Sequence, residues 1–517
     1  MDADAVAPGK WIPFEAVPER MAALRAAGRR VVQSHGIFDL IHPGHVTHLE
    51  GARAMGDVLV VSVTADAHVQ KGPGRPYFDE RLRLGSLAAL SCVDHVVLSP
   101  FPSAVPAIEA IRPDIYCKGK EYEDAEHDDS GALQEEMRAV ERCGGEVRFT
   151  GGIKAGSTRL LNHYFEHLGA PVRAFCRGLA TRYTRKTLGE AVESLAGLRV
   201  LVVGETIFDR YAQVRVQGLT SKSRVMSGRF LGSETHGGGA LAAFRHVRQF
   251  TSKVRFLSVV GTEPWVEGAL RGLVGTGEDL VVRDPGYTTI VKERFVEPRG
   301  EGEEVSKLFA VNYLDPEPPA EAVLERFEAG FREACGNCDA VLLLDFGHGL
   351  MTERLRRMVE ERAPLLVLNC QTNSSNHGFN VLPRQYRRAD VFALDEQELL
   401  LAAGQRRVDF QQELRGLKER LGARYAWLTR GPVETLGLRD GEEGCVCPPL
   451  ETDVVDPVGA GDAFFSVAGL AAARGLPLDL ATFLGQLAGA QAVRIPGNAH
   501  PISKPVLVRG GMSLLDC

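Results

Sequence analysis

The sequence has no surplus of positive charge: its formal net charge is −7. That argues against a general nucleic-acid binder, which relies on Lys and Arg to neutralise phosphates. It has no uncharged apolar run long enough to span a bilayer. Its N-terminal stretch lacks an apolar signal core, so a cytoplasmic chain whose mature form begins near Met1 is expected. The ten cysteines are scattered. Cys335 and Cys338 form one C-x-x-C and Cys445 and Cys447 one C-x-C, but neither is followed by the His pair that a structural zinc site would add. Free intracellular thiols are the expectation. Internal repeats, long low-complexity tracts and a G-x-x-x-x-G-K-[ST] phosphate loop are all missing.

What is present is ordinary in bulk, with 44% hydrophobic and 25% charged residues, and long: 517 residues are too many for one core. Strand and helix signals alternate twice. "RRVVQS" reads as a strand, residues 43 to 55 as a helix with Val46, Leu49 and Ala52 on one side, and "DVLVVSVT" as a strand buried on both faces. "CVDHVVLS" and "PDIYCKG" follow as further strands. A doubly wound, Rossmann-like parallel sheet is predicted over residues 28–165. Residues 166–197 are charged, mostly helix-prone and without a strong strand, and read as a linker or an adapting helix. A second, larger α/β domain is predicted over 198–508, with strands at "LRVLVVGE", "VRFLSVVG", "AVLLLDFG", "PLLVLNC" and "YAWLTRG". "GRFLGSETHGGGA" and "YTTIVKERFVEPR" read as extended segments outside that sheet, forming a small flap.

Each domain carries one pattern with chemistry in it. In "GIFDLIHPGH", Pro43 suits the first turn of a helix and Gly44 allows a ligand close to the backbone. A helix N-terminus favours phosphate. His42 and His45, three apart, can aim at one point and donate to phosphoryl oxygens as charge builds. Read from the residues alone, they are equally well ordinary polar residues at a helix start. In "DPVGAGDAFF", Gly459, Ala460 and Gly461 offer unhindered backbone N–H groups at the start of an apolar helix. Asp462 follows where a carboxylate could take a hydroxyl proton as general base. The bland alternative is a glycine turn followed by an Asp favoured by the helix dipole.

The first pattern resembles the signature G-x-F-D-x-x-H-x-G-H of the cytidylyltransferase-like nucleotidyltransferases. The resemblance continues through "KGPGRP", "FDERLRL", "RPDIYCKGKEY" and "GSTRLL". It implies that His42 and His45 stabilise the α-phosphate while a phosphorylated substrate attacks and pyrophosphate leaves. It further implies that Gly36, Phe38, Gly44, Lys71, Arg81, Lys118, Ser157 and Thr158 bind the nucleotide. Glu121-Tyr122 departs from the usual Asp-Tyr.

The second pattern resembles the ribokinase-like (PfkB) sugar kinases. By that resemblance Asp209 in "GETIFDRY" binds sugar with Gly238 and Gly239 in "HGGGALAAF". Asp462 is the catalytic base, Thr429, Gly431, Gly459, Ala460 and Gly461 lie at the nucleotide, and Glu398 belongs to the Mg²⁺-phosphate network. Two departures stand out: Asp395 replaces the Asn of N-x-x-E, and "LNCQTN", with Asn369 and Asn373, stands where many relatives have Asp-Pro-Lys.

Together the two parts resemble the family of bifunctional heptose-phosphate kinase/heptose-1-phosphate adenylyltransferases, with the domain order inverted. The expected function is a bifunctional enzyme making a nucleotide-activated sugar. Its substrates would be ATP, an NTP (ATP or CTP) and a sugar or sugar phosphate, with Mg²⁺ as cofactor. A homo-oligomer is expected, with no nucleic-acid or membrane partner. Two rivals remain: an active nucleotidyltransferase whose kinase-like domain is a regulatory binding module, and a non-enzymatic scaffold.

Overall fold

A computed structural model describes residues 9–69, 75–119, 132–150, 169–274, 280–297, 306–315, 317–373, 376 and 378–516. The chain divides into two compact units, the first running to Gly169 and the second from Ala170 to Leu515.

The first unit is built on β1 (Val31–Gly36), β2 (Val58–Thr64), β3 (His95–Ser99), β4 (Ile115–Gly119) and β5 (Glu146–Thr150). They form one parallel sheet in the order β3-β2-β1-β4-β5. β2 is buried along its whole length, as its unbroken apolar run requires. The order reverses beside β1, so the carboxyl ends of β1 and β4 flank a crevice. The unit begins earlier than residue 28. Ile12 N–H donates to the Val96 carbonyl and Val96 N–H to the Lys10 carbonyl, which covers the β3 edge. Helix Val17–Ala26 then buries Val17 and Met21 against β1 and β2. A one-residue bridge and a helix with little apolar periodicity leave no strong signal in sequence.

The second unit continues the strand count. Its main sheet comprises β6 (Val200–Gly204), β9 (Val254–Leu257), β14 (Ala340–Asp345), β15 (Leu366–Cys370), β16 (Val391–Asp395), β17 (Tyr425–Thr429), β18 (Thr435–Arg439) and β19 (Cys445–Cys447). The order is β19-β18-β17-β16-β15-β14-β6-β9. All neighbours are parallel except at β18 and β19. The flap is larger than the two predicted segments. β7 (Thr206–Leu219), β8 (Met226–Gly239), β12 (Ile290–Glu297) and β13 (Ser306–Tyr313) make a separate sheet in the order β13-β12-β7-β8. A short parallel pair, β10 (Val259–Val260) and β11 (Val282–Arg283), completes the strands among the described residues.

The stretch read as a linker or an adapting helix is helical, and it is packed rather than a free linker. It holds two helices, Ala170–Ala180 and Arg185–Ser194, that bury Val172, Cys176, Leu179, Leu188 and Val192. A Cβ on Gly511 would lie 2.8 Å from Leu188, so helix Lys504–Leu515 passes directly against the second of them. Tyr183 Oη donates to Asp479 at 2.8 Å, and Lys504 pairs with Glu193 at 2.8 Å. The charges of this segment face solvent while its apolar positions, too few to stand out in the sequence, pack on the second unit. The cysteines among the described residues are free.

Two candidate active sites

The first candidate site sits where β1 gives way to helix Pro43–Arg53. Phe38 adopts φ 51°, turning the chain sharply after the strand. Asp39, buried, ties this turn to a second loop: it accepts from Arg75 Nη1 at 2.6 Å and from the N–H groups of Tyr77 and Phe78 at 2.7 and 3.0 Å. His42 is the helix N-cap, and its Nδ1 accepts the Gly44 N–H at 3.1 Å. With Nδ1 so used, the neutral ring carries its proton on Nε2 as a donor. The His42 and His45 rings stack with centroids 3.8 Å apart at 26°, and Phe38 meets His45 edge-on at 5.2 Å. The two histidines are thus held as a pair at a helix N-terminus, a geometry suited to phosphoryl oxygens.

Around them the expected residues divide. Gly36 abuts Phe38, since a Cβ there would lie 3.1 Å from its ring. Lys118, at the end of β4, pairs with Glu136 at 2.8 Å and stands over the Tyr116 ring. Arg81 lies on the exposed side of helix Glu80–Ala88. The arginine that reaches the turn is Arg83, fully buried, which donates to the carbonyls of Ile37 and Thr64 and pairs with Asp66 at 2.6 Å. A one-turn motif cannot separate the inward from the outward arginine of "ERLRL" until the helix phase is known. Lys71, Ser157, Thr158 and the Glu121-Tyr122 pair lie outside the described residues. His35 is a different kind of histidine: burial, then Lys118, pulls it down to about 3, and its neutral ring bonds Ser62 and Thr64 inside the sheet.

The second candidate site lies at the carboxyl ends of β15, β16 and β17. Gly459, at φ 86°, caps helix Ala460–Ala473, whose first turn carries Asp462. Asn369, Gln371, Thr372, Asp395, Glu398, Thr429, Gly459, Gly461 and Asp462 face one cavity of about 200 Å³. Ala460 is the first helical residue, while Gly431, at φ 51°, lies in the turn after β17 and does not line the cavity. Asp462 is buried and accepts from Gln371 Nε2 at 2.9 Å. Burial pushes its carboxyl up to about 7. The Gln371 N–H opposes that rise, as does Lys292, while Asp209 adds to it.

Asp209 sits on β7 in register with His236 on β8 and Lys292 on β12, and forms an ion pair with Arg294. Gly238 lets the sheet close on it, because a Cβ there would lie 2.1 Å from Asp209 Oδ2. Gly239, at φ 59°, starts helix Ala240–Val247. Lys292, Arg294 and Gln371 were not foreseen: the first two follow from β12 pairing beside β7, which only the flap sheet reveals. Neither was the buried Glu205, which accepts the N–H groups of Phe346 and His348 and so anchors the "DFGHG" turn.

The Asp395 exchange has a local reason. Asp395 Oδ1 accepts the Glu398 N–H at 2.7 Å, and Glu398 Oε2 accepts the Asp395 N–H at 2.9 Å, a reciprocal cap that Asp makes as well as Asn. Glu398 Oε1 also accepts the Thr372 N–H at 3.0 Å, so both its oxygens hold backbone. Among the described residues no three His, Cys, Asp or Glu side chains are grouped to hold a metal ion.

Comparison with known proteins matches each unit separately. Residues 34–167 match the cytidylyltransferase-like family, and residues 198–505 match the pfkB family carbohydrate kinases. The bifunctional protein HldE of Azorhizobium caulinodans is 40% identical over 156 residues, 30% of this chain and 31% of that one. HldE of Trichlorobacter lovleyi is 39% identical over 146 residues, 28% of each chain. The chain thus spans about a third of the length of the curated relatives it matches. The structure of an Arabidopsis thaliana ribokinase with ribose and ATP aligns over 62% of this chain and 98% of that chain, with 16% identity and a TM-score of 0.46.

Proposed function

Because the chain belongs to the pfkB family carbohydrate kinases through residues 198–505, we propose that its second unit phosphorylates a sugar or sugar phosphate with ATP. We propose equally that its first unit, as a nucleotidyltransferase, joins a nucleoside monophosphate to a sugar phosphate. The observation that carries the first half is Asp462, a buried carboxyl group, pushed up to about 7 by burial, on the wall of a cavity at a helix start. There it would take the acceptor hydroxyl proton as that oxygen bonds to the γ-phosphorus and ADP leaves with the electron pair. Asp209 would hold sugar hydroxyls, and the N–H groups from Gly459 to Gly461 would meet the phosphates.

In the first unit His42 Nε2–H and His45 would donate to the α-phosphate oxygens while the sugar phosphate attacks in line and pyrophosphate departs. Lys118 would turn from Glu136 to phosphate, joined by Lys71, Ser157 and Thr158. Gly36, Phe38 and Gly44 would shape the nucleotide site, and Arg81 would reach the nucleotide only from the exposed side of its helix. Mg²⁺ would be held through the nucleotide phosphates and its own waters, with the cavity carboxyl groups of Asp395 and Glu398, already bonded to backbone, reached only across those waters. When bound it would neutralise phosphate charge.

Incubation with each NTP and a panel of sugars and sugar phosphates, with products weighed by mass spectrometry, tests both halves. The expected products are a phosphorylated sugar plus ADP, and a nucleotide sugar plus pyrophosphate. A nucleotide sugar with neither free ADP nor a newly phosphorylated sugar would favour a second unit that only binds ligand.

A further inference from the structure

A general base must present one oxygen to the proton it takes while the rest of the carboxylate is held still. In this chain the holding group is Gln371, the first residue past β15. Its Nε2 donates to Asp462 Oδ1 at 2.9 Å and to Asn369 Oδ1 at 2.7 Å. The orientation of both amides follows from a fixed acceptor: Asn369 Nδ2 donates to the Ala393 carbonyl at 3.2 Å. That leaves Asn369 Oδ1 as the acceptor, so Gln371 turns its NH₂ group toward it and toward Asp462. The Gln371 backbone is pinned as well. Its N–H donates to the Asp345 carbonyl at 2.8 Å, and its carbonyl accepts from Asn376 and Asn380 at 3.1 and 3.2 Å.

We propose that Gln371 is a positioning residue for Asp462, its amide fixing Oδ1 and leaving Oδ2 to receive the acceptor hydroxyl proton. This rests on the kinase reading of the second unit. The choice of a neutral donor has a chemical consequence. An ammonium group at this place would pair with the carboxylate and make it a weaker base, whereas an amide orients it without cancelling its charge. A chain of three groups, the β16 carbonyl of Ala393, Asn369 and Gln371, thereby ties the base on one element to the main sheet.

The test titrates Asp462 directly. Full-length protein carrying ¹³Cγ-aspartate is followed by NMR against pH, with the Asp462 resonance assigned by its loss in Asp462→Asn. Gln371→Ala removes a hydrogen bond to the charged form, so the Asp462 midpoint is expected to rise by about one pH unit. Gln371→Lys is expected to lower it by at least as much. In parallel, ADP release is measured against pH with whichever acceptor the substrate panel yields, and its acidic limb should move with the midpoint. A role in stability alone would change melting temperature and leave both the midpoint and the limb in place. Asp462 midpoints equal to wild type in both variants overturn the proposal, whatever the kinase does. Midpoints that move while no acceptor supports ADP release overturn the kinase reading instead, and leave the hold of Gln371 on Asp462 standing.

Discussion

His42 and His45 stack on each other, and one of them also caps the helix that carries the other. Loss of the second imidazole removes a donor without removing the cap. His45→Ala is therefore expected to keep its far-UV circular dichroism yet release pyrophosphate about 10²-fold more slowly. Release at the wild-type rate from the folded variant would remove His45 from the site. Asp462 yields a prediction in pH. Its carboxyl is pushed up to about 7, and only the ionised form accepts a proton. Phosphorylation should therefore rise with pH through about 7 and level off above it. Asp462→Asn should lose about 10²–10⁴ of that rate while pyrophosphate release is unchanged. Loss of both activities together would mean that the two units do not work independently.

At the scale of elements, the start of helix Ala460–Ala473 depends on one glycine and tolerates change at the next. Gly459 sits at φ 86°, and a Cβ there would lie 1.8 Å from Asn498 Oδ1. A Cβ on Gly461 would meet no atom within 4 Å, and the backbone there is ordinary helix. Gly459→Ala should lower stability by at least about 1–2 kcal/mol from the left-handed backbone alone, with the clash added. Gly461→Ala should leave stability level or raise it by about 0.5–1 kcal/mol. Both line the cavity, so both should weaken ATP binding. Calorimetry beside nucleotide titration separates the two: equal melting temperatures for the two variants would contradict the assigned backbone roles.

For the whole molecule, the division at Gly169 leads to the prediction that a fragment of residues 1–169 is a folding unit. It should fold and transfer nucleotide by itself, and a folded fragment that binds no NTP would place part of its site elsewhere. The complementary cut is more telling. A fragment beginning at Ala170 keeps helices Ala170–Ala180 and Arg185–Ser194, whereas one beginning at Leu198 exposes the surface they cover. Each buried apolar side chain so lost, Leu179, Leu188 and Val192 among them, costs about 1.5–3 kcal/mol. The shorter fragment should melt at a clearly lower temperature, and equal melting would return the segment to a linker.

Local chemistry is legible along the chain without any knowledge of its contacts. Unbroken apolar runs specified β2, β6 and β14 because strands buried on both faces have no polar face to show. Pro43 after His42, and Gly-Ala-Gly before Asp462, specified two helix starts because backbone geometry at those turns admits few residues. Which of Arg81 and Arg83 turns inward came only from the folded chain, since that depends on the phase of a helix against a sheet. Only it showed that residues 170–194 are packed, since their apolar positions gain meaning from helix Lys504–Leu515, remote in sequence. And only it brought Gln371 to Asp462, across 91 residues of chain, because a contact between the end of one strand and the start of a distant helix has no local signature.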